Sequence, residues 1–472
     1  MNNQERPSVS SLPDYITRAT PNPLANRVPW YKTTAQTYAG IFLWFVFWDT
    51  ASKYSLGMAG LGLTLAGIIV GAVICHFLFF LVPGLLGMRT GLPLYIVGTS
   101  TFGAVGGLLM PGFLMGVLQF GWLGVNAFWS TGALVKAFHA PGLNIPICVV
   151  FTLAAALVGM KGIQYVARVA TYLPLIPFAV LIVGLVVFLV PAADYVHPMG
   201  TAAANNFGSP LNALPVMVGF IVGFFATAGA AGVDICTSNR DARDVSMGGL
   251  VGIVLAVAFT AGISVIVVAG ARASGLVDNS VVEVTAALKA KLSEAKLSGG
   301  WYTAMMIGLP LAAFPGACFS SFIAANSFKT TMPKVNPFIS VGIGAIVSIV
   351  LAVTGAAGHL VSVFGLIGAS FGPIVGAMVV DYFLAGRKWS GPRAGFNPAG
   401  WIAWLLGFIV GILDNEMLPE GIRLKVHYCS PVAAFIVGAV VYFICAKAGL
   451  LSKVVPLPEK PAPEPAPAPA ST

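Results

Sequence analysis

Residues 214–243 read LPVMVGFIVGFFATAGAAGVDICTSNRDAR. No charge interrupts the stretch before Asp234, and the first bases come after it, at Arg240 and Arg243. A hydrocarbon core of about 30 Å is crossed by about 20 apolar residues in a helix, and this run supplies them. Membrane-barrel strands would instead alternate apolar and polar residues in short segments, which this run does not. Similar runs recur along the whole chain. Its 472 residues are 57% hydrophobic and 9% charged, with a mean hydropathy of +0.89. A soluble domain carries about 25% charged residues, so the bilayer must be the solvent for most of this chain.

Twelve such runs read as membrane-spanning helices, numbered here as spans 1 to 12. They lie near 35–52, 60–83, 104–135, 144–160, 165–190, 212–236, 246–271, 301–328, 338–355, 359–384, 399–413 and 429–446. The fold class expected is an all-α polytopic membrane protein. It divides into an N-terminal arm (1–34), a transmembrane domain (35–452) and a tail (453–472) whose PLPEKPAPEPAPAPAST is extended and unpacked by composition. The arm is polar and holds no apolar core of a cleavable signal. With the N-terminus inside, 17 of the 25 Lys and Arg fall in cytoplasmic segments, so both termini are expected in the cytoplasm and the protein in the cell's inner membrane. The formal charge of +9 is spread between the apolar runs and forms no basic patch, which argues against a nucleic-acid partner. Six scattered cysteines without a CxxC point to neither disulfides nor zinc. Walker, GxSxG and HExxH motifs are missing, so no enzyme is expected, and nothing calls for a cofactor or an obligatory protein partner.

Ionisable groups inside spans are costly and mark pathways or sites. Asp234 and Asp381 stand near the cytoplasmic ends of spans 6 and 10, where pairing with loop bases such as Arg240 or Arg387 accounts for them. Asp49 follows FLWFVFW (42–48) in span 1; it either pairs with Lys53 one turn on or belongs to a binding site. In span 3, LQFGWLGVNAFW (118–129) puts Gln119 and Trp122 on one helix face. An amide and an indole together suit a planar heterocycle, and they serve equally as helix-packing contacts. In span 6 the glycines around Thr227 suit either close packing or a broken helix lining a cavity. GACFSSFIAANSF (316–328) in span 8 offers Ser320 and Ser321 as hard oxygen ligands, or as hydroxyls bonded back to their own helix. His76 in span 2 reads as a packed or interfacial residue.

Taken in order, LQFGWLGV, GFFATAGAAGVDICTSNRDAR, RTGLPLYIVGTSTFG (89–103) and PIVGAMVVDYFLAGRK (373–388) resemble the nucleobase:cation symporter-1 family, above all its bacterial cytosine permease branch, over residues 30–450. The resemblance implies two inverted five-helix repeats plus two C-terminal helices, the LeuT-like arrangement, with spans 1 and 6 broken beside a midplane site. It implies that Trp122 and Phe225 sandwich the ring, that Gln119 bonds its edge, and that Gly223 and Thr227 bracket the break in span 6. Asn326 matches a substrate-binding asparagine of the family's hydantoin transporter. Backbone oxygens near Val46 and Ala317, with the hydroxyls of Ser320 and Ser321, would hold a sodium ion. Four positions depart from the cytosine permease. Ala317 replaces an asparagine, Phe224 a small hydroxyl residue, Asp49 a serine and Thr99 an arginine, which makes cytosine itself a poor fit. Asp49 would instead favour a positively charged ring, bind a proton, or complete the sodium shell.

The function expected is therefore symport of a nucleobase-like heterocycle with Na+ or H+ by alternating access. The alternatives are an amine or amino-acid transporter of the same fold gripping its substrate with Asp49, and an uncoupled channel or scaffold.

Overall fold

The computed structural model of the protein describes residues 12–38, 55–196, 209–276, 300–424 and 428–458. Among them the chain is helical, with two isolated backbone bridges and no strand. Eight helices are long and apolar enough to cross a membrane, and the shorter apolar helices Phe178–Ala193, Pro337–Val353 and Pro398–Ile412 fall on spans 5, 9 and 11. Spans 2 to 12 are thus each met by an apolar helix. Span 1 enters through the short helix Thr34–Tyr38, and the rest of it, with Val46 and Asp49, lies outside the described residues.

Local chemistry sets the helix ends. Spans 9, 11 and 12 each begin with proline in the first turn, where its missing N–H costs nothing. Asn336 caps span 9 by accepting the Phe338 N–H at 3.0 Å. Span 3 is approached through two one-turn helices, Leu94–Val97 and Thr99–Phe102, and a π-helical turn, Leu108–Phe113, that accommodates Pro111.

Spans 3 and 8 form the most extensive helix pair, followed by spans 10 and 12. Span 6 packs on spans 2 and 10. In its most apolar stretch 88% is buried inside the protein, against 33% for span 4, so span 6 is a central strut and span 4 lies on the outside. The break expected in span 6 is not there: Ala213–Cys236 is one continuous α-helix. Its glycines serve approach instead. A Cβ on Gly223 would come within 2.7 Å of the Phe364 carbonyl oxygen, and one on Gly229 within 2.5 Å of the Phe79 carbonyl oxygen.

Of the two acids expected to pair with loop bases, Asp381 does so, with Arg393 of the loop after span 10 and not Arg387, while Asp234 takes a backbone partner. Asp234 accepts the Leu94 N–H at 3.1 Å, while Arg240 pairs with Asp244 at 2.7 Å. Asp381 pairs with Arg393 at 3.2 Å and accepts from Tyr442 Oη at 2.8 Å. The six cysteines are free thiols, and His76 is buried against Phe77 and Phe80. The arm lies across the ends of spans 2 and 6: the Asn22 N–H donates to Gly91 O at 2.8 Å and the Val28 N–H to Ser238 O at 2.8 Å. Tyr15 donates to Ala104 O; burial pushes its phenol well above the ordinary range, so it stays a donor.

Candidate substrate and cation site

Trp122 and Gln119 are buried on span 3, 5% and 4% exposed. The Trp122 indole N–H donates to Thr227 Oγ1 of span 6 at 3.1 Å. Phe364 of span 10 lies over the indole face, ring centroids 5.0 Å apart and planes at 29°, and Phe224 of span 6 meets it edge-on at 4.6 Å. Phe220 closes on Phe364 at 5.0 Å. Three spans therefore build one aromatic box around Trp122.

From span 6 it is Phe224 that faces Trp122, where Phe225 was expected; among the described residues the Phe225 ring meets Phe224 at 5.0 Å and does not meet Trp122. Successive residues of an α-helix are turned by about 100°, so only one of the pair points into the box. Phe220, Gly223, Phe224 and Thr227 follow the spacing i, i+3, i+4, i+7 that defines one helix face. That pattern was present in the sequence and identifies Phe224. Phe364 had no such signal, because only the packing of span 10 on span 6 brings it near.

Asn126, one turn beyond Trp122, is a site residue that composition and motif passed over. It is 2% exposed, its Nδ2 donates to Trp122 O at 2.8 Å, and its Oδ1 has no hydrogen-bond partner among the described residues. Gln119 makes a single hydrogen bond among them, to Met115 Sδ at 3.4 Å, and a thioether is a weak acceptor. Two amides thus stand beside an aromatic box with hydrogen-bonding capacity to spare, where buried polar groups are ordinarily satisfied.

Spans 3 and 8 run antiparallel. Gly116 sits against the Phe328 ring, and Ala133 and Ala137 cluster with Met306. That register brings the Ser320–Ser321 turn level with Trp122 and puts half-buried Asn326 below it, on the Gln119 side. Ser321 Oγ donates to Ala317 O at 3.1 Å, and Ser320 is buried beside it. This is back-bonding within a helix, and it also holds a carbonyl and a hydroxyl oxygen together, the hard donors suited to a small cation. Val46 and Asp49, the partners expected from span 1, lie outside the described residues.

No protein-family model matches the chain, and no curated protein matches it in sequence. Solved structures do match in fold. Mhp1, a nucleobase-cation-symport-1 family transporter in a closed conformation with bromovinylhydantoin bound, superposes with a TM-score of 0.67 at 17% identity, over 93% of this chain and 97% of that one. Its inward-facing conformation gives 0.63 at 15% identity, over the same shares. A Na+-coupled sialic acid symporter in a substrate-bound outward-open state gives 0.58 at 14%, over 94% of this chain and 93% of that one. Over 93% of its length the chain has the fold of Mhp1, the LeuT-like fold that the sialic acid symporter shares.

Proposed function

We propose that the protein is a secondary active symporter of the inner membrane, with both termini cytoplasmic, that carries a small planar heterocycle of the nucleobase class together with Na+ or H+. The observation that supports this best is the box itself: an indole held between Phe364 and Phe224, flanked by the unspent amides of Asn126 and Gln119. A flat ring with N–H and C=O edges needs an aromatic face to stack on and amides to pair with.

The described conformation has the indole face closed. Aromatic partners stack with centroids 4.5–7 Å apart, so a ring on Trp122 takes the place of Phe364, which lies 5.0 Å away. Substrate entry then moves span 10 relative to span 3, and closure returns Phe364 over the bound ring. A cation at Ala317, Ser320 and Ser321 lies on the helix that packs most closely on span 3, so its binding biases the same rearrangement. Coupling is reciprocal: cation and substrate each raise the other's affinity by one factor.

Thermal unfolding of the purified protein tests the reading. The panel is nucleobases, hydantoins and thiamine-type pyrimidines, each in sodium or choline salt and at two pH values. A ligand at about 100 times its Kd adds about 2.7 kcal/mol, and the expected result is a heterocycle whose stabilisation depends on sodium or on pH. Stabilisation by amines or amino acids alone, lost in Asp49→Asn and kept in Trp122→Ala, would overturn it.

A further inference from the structure

The helix Ile163–Tyr172 joins spans 4 and 5. It buries Val166 and Ala167 and packs on span 8 and on the Thr34–Tyr38 helix, which leaves one face outward. Along that face Tyr165, Arg168 and Tyr172 recur at steps of three and four residues, the repeat of a single helix stripe, and Lys161, at the end of span 4 just before the helix, reaches the same face. All four are exposed, Tyr165 to 44% and Tyr172 to 66%. Lys161 Nζ and the Arg168 guanidinium carbon each lie 5.8 Å from the Tyr165 ring centroid, so two cations bracket one ring.

Neither cation pairs with an acid among the described residues. The sequence makes this unavoidable nearby, because no Asp or Glu occurs between Asp49 and Asp194. Lys161 directly follows the last residue of span 4, and Leu175, 62% exposed, opens the apolar surface of span 5. The stripe therefore stands at the level where a membrane changes from headgroup to hydrocarbon. Tyrosines collect at that level, long basic side chains reach outward from it, and unpaired cations there attract anionic lipid.

We propose that this face is a docking surface for an anionic phospholipid, its phosphate between Lys161 and Arg168 and its acyl chains along Leu175 and span 5. The proposal needs the membrane fold and not the substrate assignment. The test uses the full chain in nanodiscs of phosphatidylcholine with and without phosphatidylglycerol, with retained lipid counted by native mass spectrometry.

Wild type should retain phosphatidylglycerol selectively. Lys161→Gln and Arg168→Gln should each lower retention about 5-fold, and the double substitution about 30-fold. Combined Lys161→Arg and Arg168→Lys should restore it, and the unfolding midpoint in pure phosphatidylcholine should not move. A double Gln variant that retains phosphatidylglycerol like wild type overturns the proposal. So does equal retention of the two lipids by wild type, or displacement of the lipid by soluble glycerol phosphate.

Discussion

Asn126 holds a buried carbonyl oxygen with nothing described to accept from. Such a group costs about 1–3 kcal/mol, a cost a substrate N–H would remove. Asn126→Leu should therefore keep the ligand-free unfolding midpoint near that of wild type while abolishing the rise on adding substrate; a full ligand-induced rise would take Asn126 out of the site. The neighbouring phenylalanines of span 6 make a sharper pair. Stacking of a base on an aromatic side chain is worth about 1–3 kcal/mol, so Phe224→Ala should weaken binding about 5- to 150-fold, as Trp122→Ala should. Phe225→Ala, on the face turned away, should change it less than about 3-fold by the same measure, and equal losses would restore Phe225 to the box. The Gln119–Trp122 face was legible in the sequence because three-residue spacing is enough to define it. Choosing between Phe224 and Phe225 needed the phase of the helix, which Thr227, bonded to Trp122 at 3.1 Å, supplies.

At the scale of the element, span 6 shows what hydropathy carries and what it does not. Its extent, 212–236 from the sequence against Ala213–Cys236 in the structure, was plain because lipid leaves few options for an uncharged run. Its continuity was not, since glycines that admit a neighbouring backbone and glycines that break a helix are the same residues. Gly223→Ala separates the two by sign. In a continuous helix without a close neighbour the change stabilises by about 1 kcal/mol. Against the Phe364 carbonyl, 2.7 Å from the added carbon, it overpacks and should destabilise by about 1–3 kcal/mol. A midpoint that rises would show that the glycine serves something other than this contact.

In the whole molecule, the two C-terminal helices are fastened to the core by one buried polar knot. Arg393 donates to Asp381 at 3.2 Å, to Ser100 O at 2.8 Å and to Ser452 O at 3.0 Å; Asn397 Nδ2 donates to Thr101 O at 2.7 Å. Removing one partner of a buried ion pair costs about 3–5 kcal/mol. Asp381→Asn should lower the unfolding midpoint accordingly, and an unchanged midpoint would mean that Tyr442 alone suffices to hold span 12. The membrane-protein class and the positions of the spans were legible from apolar runs alone, whereas this knot was not, because its members lie up to 352 positions apart in the chain, from Ser100 to Ser452. That distance also orders events in time. The short helix Thr99–Phe102 leaves the ribosome early, yet the groups that pin its carbonyls, on Arg393 and Asn397, are among the last quarter of the chain to be made, and Ser452 follows after span 12. The approach to span 3 must therefore wait, unfinished, until synthesis is nearly complete, and the fold closes from the segments around its last two helices back onto the turn before its third.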